Sequence, residues 1–175
     1  MNVLLIQPPS CDPITDRVFM FEPLALEYLG AGLKLDGHEV RLLDARIEPD
    51  MDGVFDGFRP GVVGLTGYTS HVNIIKNIAR RLKERSPDTL VVVGGHHATV
   101  RPGDFNEPCI DAVVIGEGVF TLREIVRAVE TGGSLAPIKG VAIPNPGGMA
   151  FSEPRPYTDL NELPFPDRTL TAPYR

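Results

Sequence analysis

The chain has 175 residues, 42% of them hydrophobic, which is enough to bury a substantial core. A net charge of −6 with scattered Lys and Arg argues against a nucleic-acid partner, and no run approaches the roughly 18 apolar residues of a membrane span. The N-terminus enters a strand without a basic leader and the two cysteines, Cys11 and Cys109, lie far apart, so a cytoplasmic protein with free thiols is expected.

The first apolar run, 3–6, predicts a strand, followed by a loop over 8–22. A helix then opens near Pro23, carries Leu26, Leu29 and Leu33 on one stripe and ends at Asp36-Gly37. A second strand over 40–43 closes on Asp44, and 48–58 has room for a short helix. The third strand, 61–65, leads into the best-patterned helix, with Ile75, Ile78, Ala79 and Leu82 on one face and Pro87 as its stop. A fourth strand at 89–93, an irregular stretch broken at Pro102-Gly103, and a fifth strand at 111–115 follow. The last helix carries Leu122, Ile125, Val126 and Val129 and stops at Gly132-Gly133. This alternation predicts an α/β, flavodoxin-like (Rossmann-like) domain over 1–135, with five parallel strands in the order 2-1-3-4-5. Residues 136–153 read as a two-stranded hairpin extension around Pro144-Asn145-Pro146-Gly147-Gly148. Five prolines within 154–175 predict an extended arm.

Four strand-to-loop junctions carry the chemistry: Gln7-Pro8-Pro9-Ser10, Thr66-Gly67-Tyr68-Thr69-Ser70, Gly94-Gly95-His96-His97-Ala98-Thr99 and Gly116-Glu117-Gly118. In a parallel sheet all four emerge at the edge where open α/β proteins bind ligands, and their glycines let backbone approach a ligand closely. The pattern reads as a holder for a sizeable cofactor. A dinucleotide fingerprint is absent, because the first loop has no glycine. A phospho-receiver would pair Asp12 and Asp44 with a lysine after the last strand, and 116–121 has none. Pro8-Pro9 is a poor substitute for the phosphate loop of an FMN flavodoxin. His38 precedes the second strand, at the wrong edge, and reads as a solvated surface residue. For His71, His96 and His97 a supporting or packing role is favoured over metal ligation. Glu117 reads equally as a cap of the following helix and as a ligand contact.

Gly94-Gly95-His96-His97-Ala98-Thr99, Gly116-Glu117-Gly118 and Leu163-Pro164-Phe165-Pro166-Asp167 occur here in order, each after the expected element. On these motifs the whole chain resembles the N-terminal cobalamin-binding domain of cobalamin-dependent radical SAM enzymes, of the anaerobic magnesium-protoporphyrin IX monomethyl ester oxidative cyclase type. The resemblance implies cobalamin as cofactor, its corrin over the loops at 7–10, 66–71 and 94–99. The nucleotide tail would pass Thr66, Tyr68, Gly94 and Gly95, with Gly116-Glu117-Gly118 at its far end, and Thr66, Thr69 and Ser70 would bond its polar groups. The implied cofactor-binding residues are Gln7, Pro8, Pro9, 66–70, Gly94, Gly95, His96, His97, Thr99 and 116–118.

Three departures from related patterns bear on this expectation. The histidine that other cobalamin proteins place after the first strand is missing from 7–12, so no imidazole of this chain is expected below cobalt. The family's Gly-Glu-Gly-Glu is Gly116-Glu117-Gly118-Val119 here. Two cysteines cannot supply a Cys-x-x-x-Cys-x-x-Cys triad, so the [4Fe–4S] cluster and S-adenosylmethionine are expected in a radical SAM domain of a longer parent chain, with 154–175 as the linker toward it. That parent would carry out methyl transfer or oxidative ring formation, with a tetrapyrrole as one substrate class, and this piece would not be catalytic alone. The alternative is a stand-alone corrinoid or tetrapyrrole carrier or sensor.

Overall fold

Strand residues alternate between two apolar faces, and that alternation builds a three-layer domain in the computed structural model. The structure describes residues 1–9, 14 and 20–174; the readings placed on Ser10, Cys11 and Asp12 lie outside them. In chain order the elements are β1 (Asn2–Gln7), α1 (Leu24–Leu35), β2 (Glu39–Asp44), α2 (Met51–Phe58), β3 (Val62–Thr66) and α3 (Val72–Arg85). They continue with β4 (Leu90–Gly94), α4 (His96–Val100), β5 (Ala112–Val114), α5 (Gly118–Thr131), β6 (Val141–Asn145) and β7 (Gly148–Phe151). Leu4, Ile6, Val63, Leu65, Val91 and Val93 pack on one side of the sheet with α2 and α3. Val3, Leu5, Val62, Val92 and Val114 pack on the other with Leu26 and Leu33 of α1 and Leu122 and Ile125 of α5.

The predicted stops hold. The chain leaves α3 at Ser86, whose backbone is extended ahead of Pro87. At the end of α5, Gly132 takes φ 66° and donates its N–H to the last turn. In α2 the Asp50 carboxylate accepts from the Gly53 N–H at 2.9 Å. No helix among the described residues is long and apolar enough to cross a membrane.

Among the described residues the sheet has seven strands, in the order β2-β1-β3-β4-β5-β6-β7. The five parallel strands keep the anticipated order and the hairpin is present, but the count of five needs correction, because the hairpin joins the sheet and extends it. β6 runs antiparallel along β5, with Val113 opposite Ala142 and Val114 opposite Val141, and β7 pairs outside it. The reason is the outer edge of β5, whose backbone groups need partners. The Ile115 N–H donates to Gly140 O at 2.8 Å, and Gly140 makes that approach at φ 76°.

The proline-rich arm is extended, interrupted by three short 3₁₀ turns, and it lies against the body of the domain as a strap. The Thr158 N–H donates to Glu117 Oε2 at 2.9 Å. Farther on, the Asp167 N–H donates to Glu27 O at 3.2 Å and Lys34 Nζ reaches Asp167 Oδ2 at 2.7 Å. Leu170 is buried over Gly30, where a Cβ would overlap Leu170 Cδ1. The Thr171 hydroxyl donates to Oε1 of the fully buried Glu27 at 2.6 Å, and Tyr174 donates to Leu42 O at 3.2 Å. Glu27 Oε2 is buried and has no partner among the described residues. His38 also departs from expectation. It is buried, with Nδ1 3.3 Å from Glu130 and 3.4 Å from the N-terminal amine.

Candidate functional site

Two recesses adjoin at the C-terminal edge of the parallel strands. The first is a slot of about 250 Å³ between the sheet and the α1–α5 layer. Its opening follows from side-chain parity. Gly64 and Thr66 of β3, Val92 and Gly94 of β4, and Val114 of β5 share the face that carries Val62 and Ala112 deeper in the core. Glycine at two of these positions removes the side chains that would otherwise reach α1 and α5. A Cβ on Gly64 would meet Leu5 Cδ2 at 2.9 Å, and one on Gly94 would touch only Val114 Cβ, at 3.6 Å. The opposite wall is Leu26, Tyr28 and Leu29 of α1 with Val119 and Leu122 of α5, and Leu163 of the strap lies at the same cavity.

The second recess is a wider bowl of about 620 Å³ lined by Gln7, residues 21–26, Arg46, Thr66, Gly67, Tyr68, Ser70, His71, Gly95 and His96. Ala25, Leu26, Thr66 and Gly95 line both, so bowl and slot meet at the ends of β3 and β4. Gly95 sits at the junction with φ 97°; a Cβ there would lie 2.6 Å from Thr66 Oγ1 and 3.0 Å from the Gly67 N. Tyr68 is 65% exposed, its ring 6.1 Å from that of His71 and 6.4 Å from that of His96. Arg46 is held by both oxygens of the buried Asp44, at 2.8 and 2.6 Å, and donates to Phe21 O at 2.9 Å, tying the rim to β2.

The residues anticipated from sequence divide into three groups. Gln7, Thr66, Gly67, Tyr68, Ser70, Gly95 and His96 line the bowl; Thr66, Gly94, Gly95, Gly116, Glu117 and Gly118 line the slot. Pro8, Pro9, Thr69, His97 and Thr99 line neither. His97 is buried, with Nδ1 3.0 Å from Thr69 Oγ1, Nε2 2.9 Å from Asp104 and its ring edge-on to Phe105 at 5.7 Å. Both ring nitrogens are engaged, so this side chain braces the loop. Thr99 donates to Gly95 O at 3.1 Å and accepts the Gly116 N–H at 3.0 Å, joining the third and fourth loops. Glu117 stands at the start of α5 but makes no side-chain capping bond, its Oε2 accepting the strap N–H instead. Cys109 is a buried free thiol whose pKa burial pushes up. Among the described residues no cluster of His, Cys, Asp or Glu could hold a metal ion.

Sequence reasoning missed the α1 wall, Arg46 and Leu163. Leu26 and Leu29 look like any core stripe. Arg46 follows Asp44 at a spacing that suits the ion pair, the one local signal available.

An apolar slot floored by glycine, opening into a broader bowl with polar groups, suits a cofactor that joins a wide ring to a narrower aromatic arm. Cobalamin has that shape. Residues 14–126 match the model of the B12 binding domain. The chain is 34% identical to an uncharacterized methyltransferase of Pyrococcus horikoshii, covering 97% of this chain and 39% of that protein. It is 32% identical to the anaerobic magnesium-protoporphyrin IX monomethyl ester cyclase of Synechocystis sp., covering 81% of this chain and 30% of that one. The fold matches the radical S-adenosylmethionine methyltransferase TsrM of Kitasatospora setae, solved with cobalamin and a [4Fe–4S] cluster, at TM-score 0.76 and 24% identity over 97% of this chain and 32% of TsrM. The chain thus spans 39% or less of each of these relatives. Its motifs, its glycine-floored edge and the match over 14–126 together make it a member of the B12-binding domain family.

Proposed function

We propose that the chain is the cobalamin-holding module of a radical SAM enzyme, with the corrin over the bowl and the nucleotide tail in the slot. The observation that carries this reading is the junction of the two recesses: Thr66 and Gly95 line both, so bowl and slot form one continuous site at the ends of β3 and β4. In this reading Gly64 and Gly94 make way for the tail, and Thr66 and Ser70 offer hydroxyls to its polar groups. Tyr68 presents its exposed ring to the corrin, and His97 and Thr99 hold the loops still. Bound cobalamin supplies a cobalt centre able to carry an alkyl group, and the protein fixes its position and excludes water. The parent reaction in this reading is methyl transfer or oxidative ring formation, supported by the methyltransferase and cyclase among its relatives. The [4Fe–4S] cluster and S-adenosylmethionine belong to the remainder of such a parent, acting in the cytoplasm. Purifying the chain with hydroxocobalamin tests the cofactor assignment. Stoichiometric co-elution, with the visible absorbance of cobalamin in the protein fraction, is expected. A chain that elutes colourless refutes the reading.

A further inference from the structure

The strap passes the slot, and three of its large apolar side chains stand exposed. Tyr157 and Phe165 are each 94% exposed and Leu160 76%, whereas Leu163 is half-buried and lines the slot beside Gly118, Val119 and Leu29. Leu163 belongs to Leu163-Pro164-Phe165-Pro166-Asp167, and it lies beyond residues 14–126, where the B12-binding model matches. The strap is pinned on both sides of this residue. Upstream, Thr158 is held by Glu117, itself a slot residue. Downstream, Asp167 is held by Lys34 and Glu27, Leu170 is buried over Gly30, and Thr171 bonds Glu27. Pro164 and Pro166 limit the conformations open to the span between the anchors, so less entropy is lost when it lies down.

From this geometry we infer that Leu163 is a cofactor-retaining residue: the strap forms the outer wall of the slot, and Leu163 packs on the aromatic base of the corrinoid tail. The inference rests on the tail occupying the slot. It makes the site composite, with a floor from the sheet, an inner wall from α1 and α5, and an outer wall from a segment well separated in sequence. The slot's side walls are almost wholly hydrocarbon, so an uncharged benzimidazole base is the class of ligand they suit.

The test is the release rate of cobalamin from the 175-residue chain, followed by visible absorbance during chase with excess apo-acceptor, with circular dichroism to verify folding. Changes within one interface fall mainly on the off-rate. Leu163→Ala is expected to release cobalamin about tenfold faster, equivalent to about 1.4 kcal/mol. Leu163→Met, which keeps the volume, is expected to stay near the parental rate, as is Phe165→Ala in the exposed part of the same motif. Cobinamide, which lacks the base, is expected to leave parent and Leu163→Ala at equal rates. An unchanged cobalamin release rate in Leu163→Ala overturns the inference and leaves the cofactor assignment standing. Equal acceleration in Phe165→Ala, or of cobinamide, likewise overturns it. A parent chain that holds no cobalamin at all removes the assignment and the inference together.

Discussion

Gly94 and Gly95 are neighbours where β4 ends, yet substituting them tests different things. Gly94 lies on the slot face of β4 in extended backbone, and an added Cβ meets only Val114, at the ordinary distance of 3.6 Å. Gly94→Leu therefore costs the fold little; a side chain in place of a strand glycine recovers about 0.5–1 kcal/mol of backbone entropy. The remaining atoms project into a slot of about 250 Å³, where the tail would need the same space. Overfilling a packed site costs about 1–3 kcal/mol, so cobalamin affinity should fall roughly 5- to 150-fold. Gly95 is the reverse case. Its φ of 97° costs an L-residue about 1–2 kcal/mol. A Cβ would also press on Thr66 Oγ1 at 2.6 Å and on Gly67 backbone at 3.0 Å. That backbone cannot retreat freely, because Gly67 O accepts the His97 N–H. Gly95→Ala should lose about 2–4 kcal/mol of stability and lower the melting temperature by roughly 5–15 °C. Thermal denaturation followed by circular dichroism and equilibrium titration with hydroxocobalamin measure the two effects. A folded Gly94→Leu that binds within about twofold of the parent would refute the passage of the tail along β4. A Gly95→Ala as stable as the parent would refute the tight approach of the two loops.

Other expectations follow from the same contacts. His97→Ala should destabilise the chain by about 2–4 kcal/mol through loss of its partners Thr69 and Asp104 and of buried ring packing, while exposed His96→Ala should stay within about 0.5 kcal/mol. Neither replacement should remove a nitrogen coupling from the cobalt(II) spin-resonance spectrum of bound cobalamin; such a loss would make that histidine a metal ligand. Thr171→Val should lose about 1–3 kcal/mol in urea unfolding, because Glu27 keeps its burial and loses its donor, and Thr171→Ser should restore most of it. The Lys34 ammonium, then the Thr169 groups, hold the Asp167 carboxyl below the ordinary aspartate range. A lowered folded-state pKa gives stability that is complete above the unfolded value and is lost as pH falls through the folded one. The strap anchor should thus persist through mildly acid pH and fail only below the usual aspartate range. Thermal denaturation of Asp167→Asn across that range should show a shallower acid loss than the parent.

The order of the parallel strands and their shared edge were legible because apolar runs alternate with helix-period segments, and the runs of β3, β4 and β5 give way to glycine or a small hydroxyl residue. The place of the hairpin was not. Its turn is local chemistry, but the partner of β6 is decided by which edge remains open once β5 has joined the sheet. Among the site residues, those that line the recesses through backbone or glycine were readable from composition. Those that brace the loops were not separable from them: His96 and His97 are adjacent and identical, and only Thr69 and Asp104, brought close by folding, give one of them its role. The prolines after residue 153 predict an extended path, yet nothing local says against which helix it lies. That depends on Gly30, a gap in α1 into which Leu170 fits.

Glu27 gives that path an all-or-none character. With Thr171 seated, the carboxyl has one donor and a second oxygen without a partner among the described residues, deep under α1. Lifting the strap by a small amount breaks the remaining bond before water can replace it, so a half-detached state costs more than either end state. The contact thus favours opening of the strap as a unit over fraying from its end. A probe on the strap should therefore report a single cooperative opening, with the amides of Thr158 and Asp167 showing one common opening free energy in hydrogen–deuterium exchange.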